Sequence, residues 1–265
     1  MLASPLRGPR LTVSVVSHGQ GQLLAPLLMQ LQAASALLPM QVIVTLNLPE
    51  AAPLIDEDEN FRLTLIDNKS PQGFAENHNA AFRHARAPFF CVINPDVRIE
   101  PESFLPLLDC VERLPGVAGP RVLAPDGDVE DSARRVPSVL RLLGRRWRRR
   151  STPDYSTRRM IQPVDWMAGM CLVFQAQTFR DIGGFDERFH MYCEDVDICL
   201  KIHLAGGHVS WVQDSVIVHD AQRASHRNWR YLAWHITSLM RLFGSGTYWR
   251  FRLSGSARDK KVMHV

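Results

Sequence analysis

The segment VINPDVRIEP, Val92–Pro101, sets one carboxylate directly behind a buried strand. The apolar run Phe89–Ile93 predicts that strand. Asn94 and Pro95 end it, because proline has no N–H to donate to a neighbouring strand. Asp96 therefore follows the carboxyl end of the strand, which is where ligands bind in open α/β sheets. We expect Asp96 to belong to a ligand site.

Length and composition fit one large domain or two small ones, since the chain has 265 residues and 46% of them are hydrophobic. A net charge of +4 is too weakly positive to indicate nucleic acid as a partner. The five cysteines are odd in number and form no CxxC pair, which favours reduced thiols in a cytosolic protein. The N-terminal segment lacks the apolar core of a signal peptide, and no uninterrupted apolar run approaches the roughly 18 residues of a transmembrane helix.

Predicted strands and helices alternate in the first half of the chain, which is typical of a parallel, doubly wound sheet. No GxGxxG motif follows the first strand, so dinucleotide binding has no support. The predicted strands are Leu11–Ser17, Met40–Asn47, Phe61–Asn68 and Phe89–Asn94. The predicted helices lie around Leu23–Leu31, within Gly73–Ala85 and at Pro101–Gly116.

The second half of the chain predicts three more strands and a helix. A buried strand is predicted at Asp165–Phe174, from its continuous apolar run. Two late strands are predicted at His208–Val212 and Ser215–His219. The helix begins near Glu194 and ends at the glycine pair 206–207, because glycine commonly terminates a helix.

Two segments admit either a structural or a membrane-binding interpretation. The basic run Arg141–Arg150, which contains Trp147, predicts either a solvated charged surface or a contact with anionic lipid headgroups or a pyrophosphate. The segment Asn228–Phe243 predicts an amphipathic helix that either caps the core or lies on a membrane surface. The apolar residues that share one face of this helix are Trp229, Leu232, Ala233, Ile236, Leu239, Met240 and Phe243.

Acidic residues and one histidine are the candidates for chemistry. Glu194, Asp195 and Asp197 stand at the start of a predicted helix, where acids also serve simply as partners of the helix dipole. Asp195 has aromatic and apolar neighbours in sequence, and a carboxylate in such a pocket can act as a general base. Asp96 can hold a hard divalent cation through oxygen, with substrate phosphates completing its shell. His219 ends a predicted strand and becomes a candidate ligand only if it lies beside Asp96.

Six motifs occur in a fixed order: VSVVSHGQ, NKSPQGFAENHNAAFRHA, INPDV, WMAGMCLVF, GGFDERFHMYCEDVDICLKIHLAGG and VIVHDAQRAS. With them the chain resembles the family 2 glycosyltransferases of GT-A fold, close to their bacterial rhamnosyltransferases, from Leu11 to Phe243. The resemblance implies one GT-A domain over residues 1–265, with a mostly parallel central sheet flanked by helices. It also implies a nucleotide-sugar-binding half at about 11–125, an acceptor and catalytic half at about 160–225, and an amphipathic helical segment at about 228–250.

The resemblance implies a role for each motif. Asp96 and His219 would hold Mg²⁺ or Mn²⁺ against the diphosphate of a nucleotide sugar. Asp195 would take a proton from the acceptor hydroxyl in a direct displacement with inversion, and Glu194 would hydrogen-bond the acceptor or orient Asp195. The implied acceptor-binding residues are Trp166, Ala168, Gly169 and Glu194. The implied donor-binding residues are Ser17, His18, Asn47, Asn68, Gly73, Phe74, Asn79, Asn94 and Asp96.

Several positions depart from the family pattern. Leu46 stands where the family usually has an acid that reads the nucleobase, and Asp67 on the next strand is a candidate substitute. Asn94 occupies the first position of the metal motif without a charge, so a metal would depend mainly on the aspartate that follows. His18 replaces the more usual residue of the first loop, and the NHN triplet of the second motif varies the GNN pattern. These changes leave the identity of the nucleotide open.

The expected function is transfer of a sugar with inversion, by a peripheral enzyme on the cytoplasmic face of a bacterial inner membrane. The implied donor is dTDP-L-rhamnose, or another sugar linked to UDP or GDP, and the implied acceptor is a lipid-linked or growing surface glycan. The main alternative is a non-catalytic module that binds a nucleotide sugar or glycan, but such a module needs no base like Asp195. A nucleotidyltransferase would need a glycine-rich first loop with Arg or Lys, which residues 17–20 lack.

Overall fold

Four parallel strands of apolar and β-branched residues form one half of a central sheet. The computed structural model describes residues 8–138, 154–220 and 229–254. The four strands are β1 (Leu11–Ser17), β2 (Met40–Leu46), β3 (Phe61–Asp67) and β4 (Phe89–Ile93). β1 pairs with both β2 and β4, and β3 pairs with the outer side of β2. Every residue of β2 and β4 is buried, as expected for parallel strands whose two faces are both covered.

Helices of the first half pack on the central sheet. They are α1 (Gly21–Ser35), α2 (Phe74–Phe82) and α3 (Leu105–Arg113). α1 buries four leucines at helical spacing, which the sequence predicted: Leu24, Leu27, Leu28 and Leu31. α3 is shorter than the predicted helix Pro101–Gly116, because residues 101–104 form turns and Gly116 already begins the next strand.

Strands from both halves of the chain complete the nine-stranded sheet. They are β5 (Val97–Ile99), β6 (Gly116–Leu123), β8 (Ile161–Pro163), β10 (Cys171–Gln175) and β11 (His208–His219), with β7 (Ala133–Arg134) and β9 (Trp166–Met167) forming a separate pair. The order is β3-β2-β1-β4-β10-β6-β11-β5, with β8 on β11. A mostly parallel sheet was predicted and is confirmed. It is not parallel throughout, because β10 runs antiparallel to β4 and β6, and β5 and β8 run antiparallel to β11.

All three predicted strands of the second half were wrong in their bounds. The predicted strand Asp165–Phe174 is two strands, β9 and β10, because the chain turns at residues 168–170. The predicted pair His208–Val212 and Ser215–His219 is one strand, β11, whose pairing with β6 shifts register between Val212 and Val216. That shift is a local irregularity of the kind that bends a strand without ending it.

An aromatic cluster under the sheet holds the segment that leads into the second half. Helices α4 (Ala176–Asp181) and α5 (Glu194–Leu204) flank this segment. Phe179 lies within 5.5 Å, between ring centroids, of Phe90, Phe174 and Phe185. Edge-to-face rings at such distances are favourable beyond the area they bury. The cluster therefore fixes residues 183–193 against α2 and β4.

Two helices, α6 (Trp229–Phe243) and α7 (Gly246–Ser254), form the C-terminal part of the described chain. Leu242 of α6 is fully buried, and Ser238 donates a hydrogen bond to the carbonyl of Met191 at 2.8 Å. Part of the predicted apolar face lies in solvent instead: Leu232 is 61%, Ile236 50% and Met240 67% exposed. Within the described residues, no helix has the length and hydropathy needed to cross a membrane. The basic run Arg141–Arg150, including Trp147, lies outside the described residues.

Candidate active site

Three asparagines form a hydrogen-bonded network at the carboxyl ends of β2 and β3. Asn68 donates to the side-chain oxygens of Asn47 at 2.8 Å and of Asn77 at 2.7 Å. Asn47 also exchanges two hydrogen bonds with the backbone of Gln72, at 2.8 and 3.0 Å. The network therefore holds the loop before α2 against the edge of the sheet. Asn77 and Gln72 also belong to it, although sequence analysis did not single them out beyond the quoted motif.

Ser17 and His18 lie beside this network at the end of β1. The buried Ser17 hydroxyl accepts the N–H of Gln20 at 3.2 Å. His18 is exposed, and its Nδ1 lies 2.8 Å from Nδ2 of Asn47. The ends of β1 and β2 thus present an imidazole and an amide at the edge where the resemblance predicts the nucleotide.

The departures from the family pattern have structural explanations. Leu46 is 5% exposed and packs in the core, and its register partner on β3 is the exposed Asp67. The carboxylate of Asp67, the candidate substitute, thus stands one strand away from Leu46. The middle residue of the NHN triplet, His78, is buried with a ring nitrogen 2.8 Å from the hydroxyl of Ser14. Burial lowers the pKa of His78 to about 3, so it is a neutral structural residue at ordinary pH.

Gly73, Phe74 and Asn79 join α2 to the segment 183–193. A Cβ on Gly73 would lie 2.7 Å from the carbonyl oxygen of His190, which only glycine avoids. The N–H of Phe74 donates to that same oxygen at 2.9 Å. Asn79 both donates to and accepts from the backbone of Phe185, at 2.9 and 3.0 Å. These three predicted donor-binding residues therefore contact a loop of the second half.

Asp96, His219 and Glu130 form a second polar cluster. Asp96 follows β4, and His219 is the last residue of β11, which pairs with β5 just beyond Asp96. Nε2 of His219 lies 3.4 Å from Oδ2 of Asp96, and its Nδ1 lies 3.0 Å from Oε2 of Glu130. The condition that the sequence set for His219, proximity to Asp96, is therefore met. Glu130 was missed, because an acid in the turn DGDVED looks like a solvated loop residue.

The Asp96 cluster fits a divalent cation that shares its shell with a ligand. Oδ1 of Asp96 is buried and has no hydrogen-bond partner in the described part of the chain. Such an orphaned carboxylate oxygen is costly unless a further group satisfies it. Within residues 8–138, 154–220 and 229–254, no three His, Cys, Asp or Glu side chains are arranged as a complete cation cage. Two protein ligands plus substrate phosphates are the usual arrangement for Mg²⁺-type sites.

The charge of His219 is set by its two acidic neighbours. Burial acts to lower the pKa of His219, but the hydrogen bonds and charges of Asp96 and Glu130 outweigh it and raise the pKa.

Asn94, in the first position of the motif, donates its backbone N–H to the carbonyl of Met170 at 2.9 Å. This main-chain contact fixes the strand end, and the Asn94 side chain is half-buried.

Asp195 and Glu194 begin α5 as adjacent carboxylates in a poorly solvated place. Asp195 accepts the N–H groups of Val196 at 2.8 Å and Gly169 at 3.2 Å. Burial raises the pKa of Asp195, although these N–H groups and the Arg134 guanidinium act in the opposite direction. Burial raises the pKa of Glu194 well above its usual range, and the charge of Asp195 adds to the rise. A carboxyl whose pKa is raised toward neutrality is suited to proton transfer.

Two residues in the left-handed backbone region precede this pair. Tyr192 has φ 73° and Cys193 has φ 67°, which is uncommon for residues other than glycine. Such conformations persist only where surrounding contacts impose them, and they cluster at functional sites. Here the contacts come from α6: His190 packs on Trp234 at 4.9 Å and Tyr192 on His235 at 5.1 Å, between ring centroids. Helix α6 therefore supports the turn that aims the two carboxylates.

Asp197, the third acid of this motif, has a different environment. It is 1% exposed and pairs with Lys201 one helical turn later, with 2.9 Å between Oδ2 and Nζ. It is therefore part of a buried ion pair on α5, which argues for a structural role rather than a place beside Asp195.

The predicted acceptor residues lie on β9 and the turn after it. Trp166 is buried and donates its indole N–H to the carbonyl of Arg135 at 2.9 Å. The guanidinium of Arg134 lies over the Trp166 ring, 5.4 Å from its centroid. The backbone N–H of Ala168 donates to Ser132 at 2.9 Å. The sequence prediction missed Arg134. Its positively charged guanidinium packs on Trp166 and acts to lower the pKa of Asp195.

One turn connects the two carboxylate clusters. The carbonyl of Met170 accepts the N–H of Asn94, and the N–H of its neighbour Gly169 donates to Asp195. A Cβ on Gly169 would lie 3.2 Å from the Phe74 ring and 3.8 Å from Cβ of Asp195. The site that results has the cluster of Asp96, His219 and Glu130 at the end of β4 and a buried carboxylate pair at the start of α5, joined through two consecutive residues.

The model of the family described as glycosyltransferase like family 2 matches residues 9–237. The chain belongs to glycosyltransferase like family 2. The resemblance predicted from the six motifs is thereby confirmed, and the match covers both carboxylate clusters. Asp96, His219, Glu194 and Asp195 all lie inside the matched range.

Curated relatives of this family 2 protein are rhamnosyltransferases by name. The N-acetylglucosaminyl-diphospho-decaprenol L-rhamnosyltransferase of Mycobacterium tuberculosis is 38% identical over 148 residues, which cover 52% of this chain and 48% of the relative. The rhamnosyltransferase WbbL of Escherichia coli is 35% identical over 82 residues, covering 29% of this chain and 30% of the relative. The chain thus spans about half of the first relative and less of the second.

Solved structures agree on the fold. The mannosyltransferase PcManGT of Pyrobaculum calidifontis, in complex with GDP-Man and Mn²⁺, superposes with a TM-score of 0.59 at 17% identity. The superposition covers 92% of this chain and 66% of that one. The predicted GT-A fold of this family 2 protein, with its mostly parallel sheet flanked by helices, is confirmed.

Proposed function

We propose that this family 2 protein is a metal-dependent inverting glycosyltransferase, which moves a sugar from a nucleotide donor to an acceptor hydroxyl. The observation that carries the proposal is the turn at Gly169 and Met170. It joins the cluster that fits a cation, through Asn94, to the buried base candidate, Asp195. A binding module has no need of a carboxylate with a raised pKa connected to its ligand site in this way.

The residues divide the reaction between them. Asp195 takes the proton of the acceptor hydroxyl, whose oxygen bonds to the anomeric carbon of the donor sugar. The bond from that carbon to the diphosphate oxygen breaks, and its electron pair leaves with the nucleoside diphosphate. Asp96 and His219 would hold Mg²⁺ or Mn²⁺, which supplies positive charge to the leaving diphosphate. Attack on the face opposite the leaving group inverts the anomeric carbon.

The carboxyl edge of β1 to β3 is proposed as the donor-binding side. Asn47, Asn68 and His18 present polar groups there, and Asp67 supplies the carboxylate that Leu46 cannot. The proposed donor is dTDP-L-rhamnose, because the named relatives are rhamnosyltransferases, and the proposed acceptor is a lipid-linked or surface glycan. Glu194 and the strand from Trp166 to Gly169 are proposed to receive the acceptor. The single domain predicted over residues 1–265, with donor and acceptor halves, is part of the same proposal.

We also propose peripheral attachment to the cytoplasmic face of the inner membrane through α6. Its exposed leucine, isoleucine and methionine at positions 232, 236 and 240 follow helical spacing. Met240 lines a cleft of about 390 Å³ together with two exposed arginines, Arg188 and Arg241. Apolar side chains next to arginines complement an anionic bilayer surface, which has an apolar interior beneath negative headgroups.

The enzymatic proposal is tested by incubating the protein with dTDP-, UDP- and GDP-sugars, with and without Mn²⁺. We expect one nucleotide to raise the thermal midpoint, and only when metal is present. At a nucleotide concentration one hundred times its dissociation constant, the free energy of unfolding should rise by about 2.7 kcal/mol. The same donor should be hydrolysed slowly without an acceptor. Metal-dependent binding with no turnover under any condition would favour the non-catalytic module, and no binding of any nucleotide would refute donor recognition.

The membrane proposal is tested separately by flotation with vesicles. The protein should float with vesicles of phosphatidylglycerol and phosphatidylcholine, and less with phosphatidylcholine alone. Ile236→Asp with Met240→Asp should abolish flotation while leaving donor binding intact. Flotation that survives this double substitution would place the contact elsewhere on the chain.

A further inference from the structure

Glu130 is placed by a turn that the backbone holds firmly. Its N–H donates to the carbonyl of Val122 at 2.9 Å, and Val129 bridges to Leu123 on β6. Two further hydrogen bonds, at 2.8 and 2.9 Å, close the turn between Ala124 and Asp128. The turn therefore brings one acidic side chain back toward the end of β11. The Glu130 carboxylate lies 89 residues from His219 in sequence and 3.0 Å from its Nδ1.

The two nitrogens of His219 face two different carboxylates. Nδ1 faces Glu130, whereas Nε2 faces Asp96 at 3.4 Å. A carboxylate beside Nδ1 favours the tautomer that carries its proton there, and that tautomer leaves the lone pair of Nε2 free. A free lone pair is what an imidazole needs to bind a cation, and a partner on the other nitrogen fixes the plane of the ring.

We propose that Glu130 is a positioning residue of the cation site: it holds His219 in the Nδ1–H tautomer, with Nε2 turned toward Asp96. The inference rests on the proposed function, since it assumes that Asp96 and His219 hold the cation. Glu130 itself is not proposed as a ligand, because its nearest His219 atom is the nitrogen on the far side of the ring from Asp96. The proposal explains why an acid on a partly exposed turn is directed inward.

The test measures Mn²⁺ affinity rather than transfer. Free Mn²⁺ is titrated into the full chain, alone and with dTDP, UDP or GDP, and bound Mn²⁺ is counted by electron paramagnetic resonance. Loss of a partner that orients a ligand typically weakens metal binding about 10- to 100-fold, and we expect this of Glu130→Ala. Glu130→Gln should recover most of the affinity, because its amide oxygen still accepts the Nδ1 proton. Asp128→Ala, an exposed acid of the same turn, is the matched control and should bind as the wild type does.

The outcomes separate this inference from the function on which it rests. If the wild type binds Mn²⁺ and Asp96→Ala does not, the cation site stands, and an unchanged Glu130→Ala would overturn the positioning role alone. Equal losses in Glu130→Ala and Glu130→Gln would also overturn it, since the negative charge rather than the hydrogen bond would then matter. If Glu130→Ala fails to fold, Glu130→Gln decides, because binding close to the wild type is required of it. A wild type that binds no Mn²⁺ under any condition refutes both proposals.

Discussion

Substitution of Gly73 by alanine tests whether the loop before α2 and the segment 183–193 are packed as the structure has them. The backbone of Gly73 is ordinary for any residue, with φ −71° and ψ 168°. Alanine is therefore not strained by its own conformation, and the effect comes from the space around the new methyl group. That methyl would lie 2.7 Å from the carbonyl oxygen and 3.0 Å from the Cα of His190.

The expected cost follows from those two contacts. To reach an ordinary carbon–oxygen contact distance, the loop at Gly73 and the segment at His190 would have to separate by about 0.7 Å or more. Both contacted atoms of His190 belong to its backbone, so a change of side-chain rotamer cannot relieve the contact. Overpacking of this kind costs about 1–3 kcal/mol. The lower entropy of an unfolded alanine returns about 0.4–1 kcal/mol, while strain on the hydrogen bond from Phe74 to His190 adds about 0.5–1.5 kcal/mol. The net loss is about 0.5–4 kcal/mol, or roughly 1–16 °C in thermal midpoint.

The assay is thermal unfolding of Gly73→Ala beside Gly246→Ala, followed by calorimetric binding of the nucleotide that stabilises the wild type. Gly246 begins α7 and has nothing within 4 Å of an added Cβ, so its substitution should leave the midpoint unchanged or slightly higher. Gly73→Ala should lower the midpoint and weaken nucleotide binding together, because the displaced loop carries the Asn47 network. A Gly73→Ala protein as stable as the Gly246→Ala control would refute the close approach of the two loops.

Three further predictions concern the carboxylates. Asp195→Asn should lower the rate of transfer of a radiolabelled sugar by about 10²- to 10⁴-fold, with the donor affinity measured by calorimetry unchanged. Undiminished transfer would show that Asp195 is not the base. Because the pKa of Asp195 is raised, the acidic limb of kcat/KM against pH should lie above the ordinary range of an aspartate, and Asp195→Asn should abolish that limb. Glu194→Gln should raise the thermal midpoint at about pH 8 but not at about pH 4. Burial of the Glu194 carboxyl disfavours its ionised form in the folded protein, so the folded state loses stability only as pH rises above the ordinary pKa of glutamate. An equal midpoint difference at both pH values would contradict this account.

Local patterns predicted most elements but not how the second half joins the sheet. Strands β1 to β4 were predicted within a residue or two, because each is a short apolar run bounded by polar loops. The antiparallel position of β10 between β4 and β6 could not be predicted. A continuous apolar run indicates that a strand is buried, but it does not indicate in which direction the strand runs. The exposed apolar residues of α6 were equally ambiguous: their spacing predicts a face but not whether protein, lipid or water covers it.

The site followed the same division between local and long-range information. Asp96 was predictable because its position depends on the strand before it, which ends at Asn94 and Pro95. His219 was named from the family resemblance, but its place beside Asp96 depends on β5 and β11 lying side by side, with His219 paired to Val97. Glu130 and Arg134 depend on contacts that span long stretches of the chain, from Glu130 to His219 and from Arg134 to Asp195. Acids and arginines are common in exposed loops, so sequence alone gives no reason to single them out.

The strand prediction at Asp165–Phe174 failed at the turn that connects the two carboxylate clusters of the proposed site. An uninterrupted strand would use the N–H of Gly169 and the carbonyl of Met170 for two different neighbouring strands, because the polar backbone groups of successive residues point to opposite sides. The Met170 carbonyl still accepts the N–H of Asn94, near Asp96, and so continues the pairing of β10 with β4 by one residue. The turn at residues 168–170 diverts the Gly169 N–H to Asp195, the proposed base. The apolar pattern continues through the turn because both flanking strands are buried, so periodicity does not reveal the break. The local rule thus fails at the residues that connect the two carboxylate clusters, as expected where function rather than regular pairing determines the backbone.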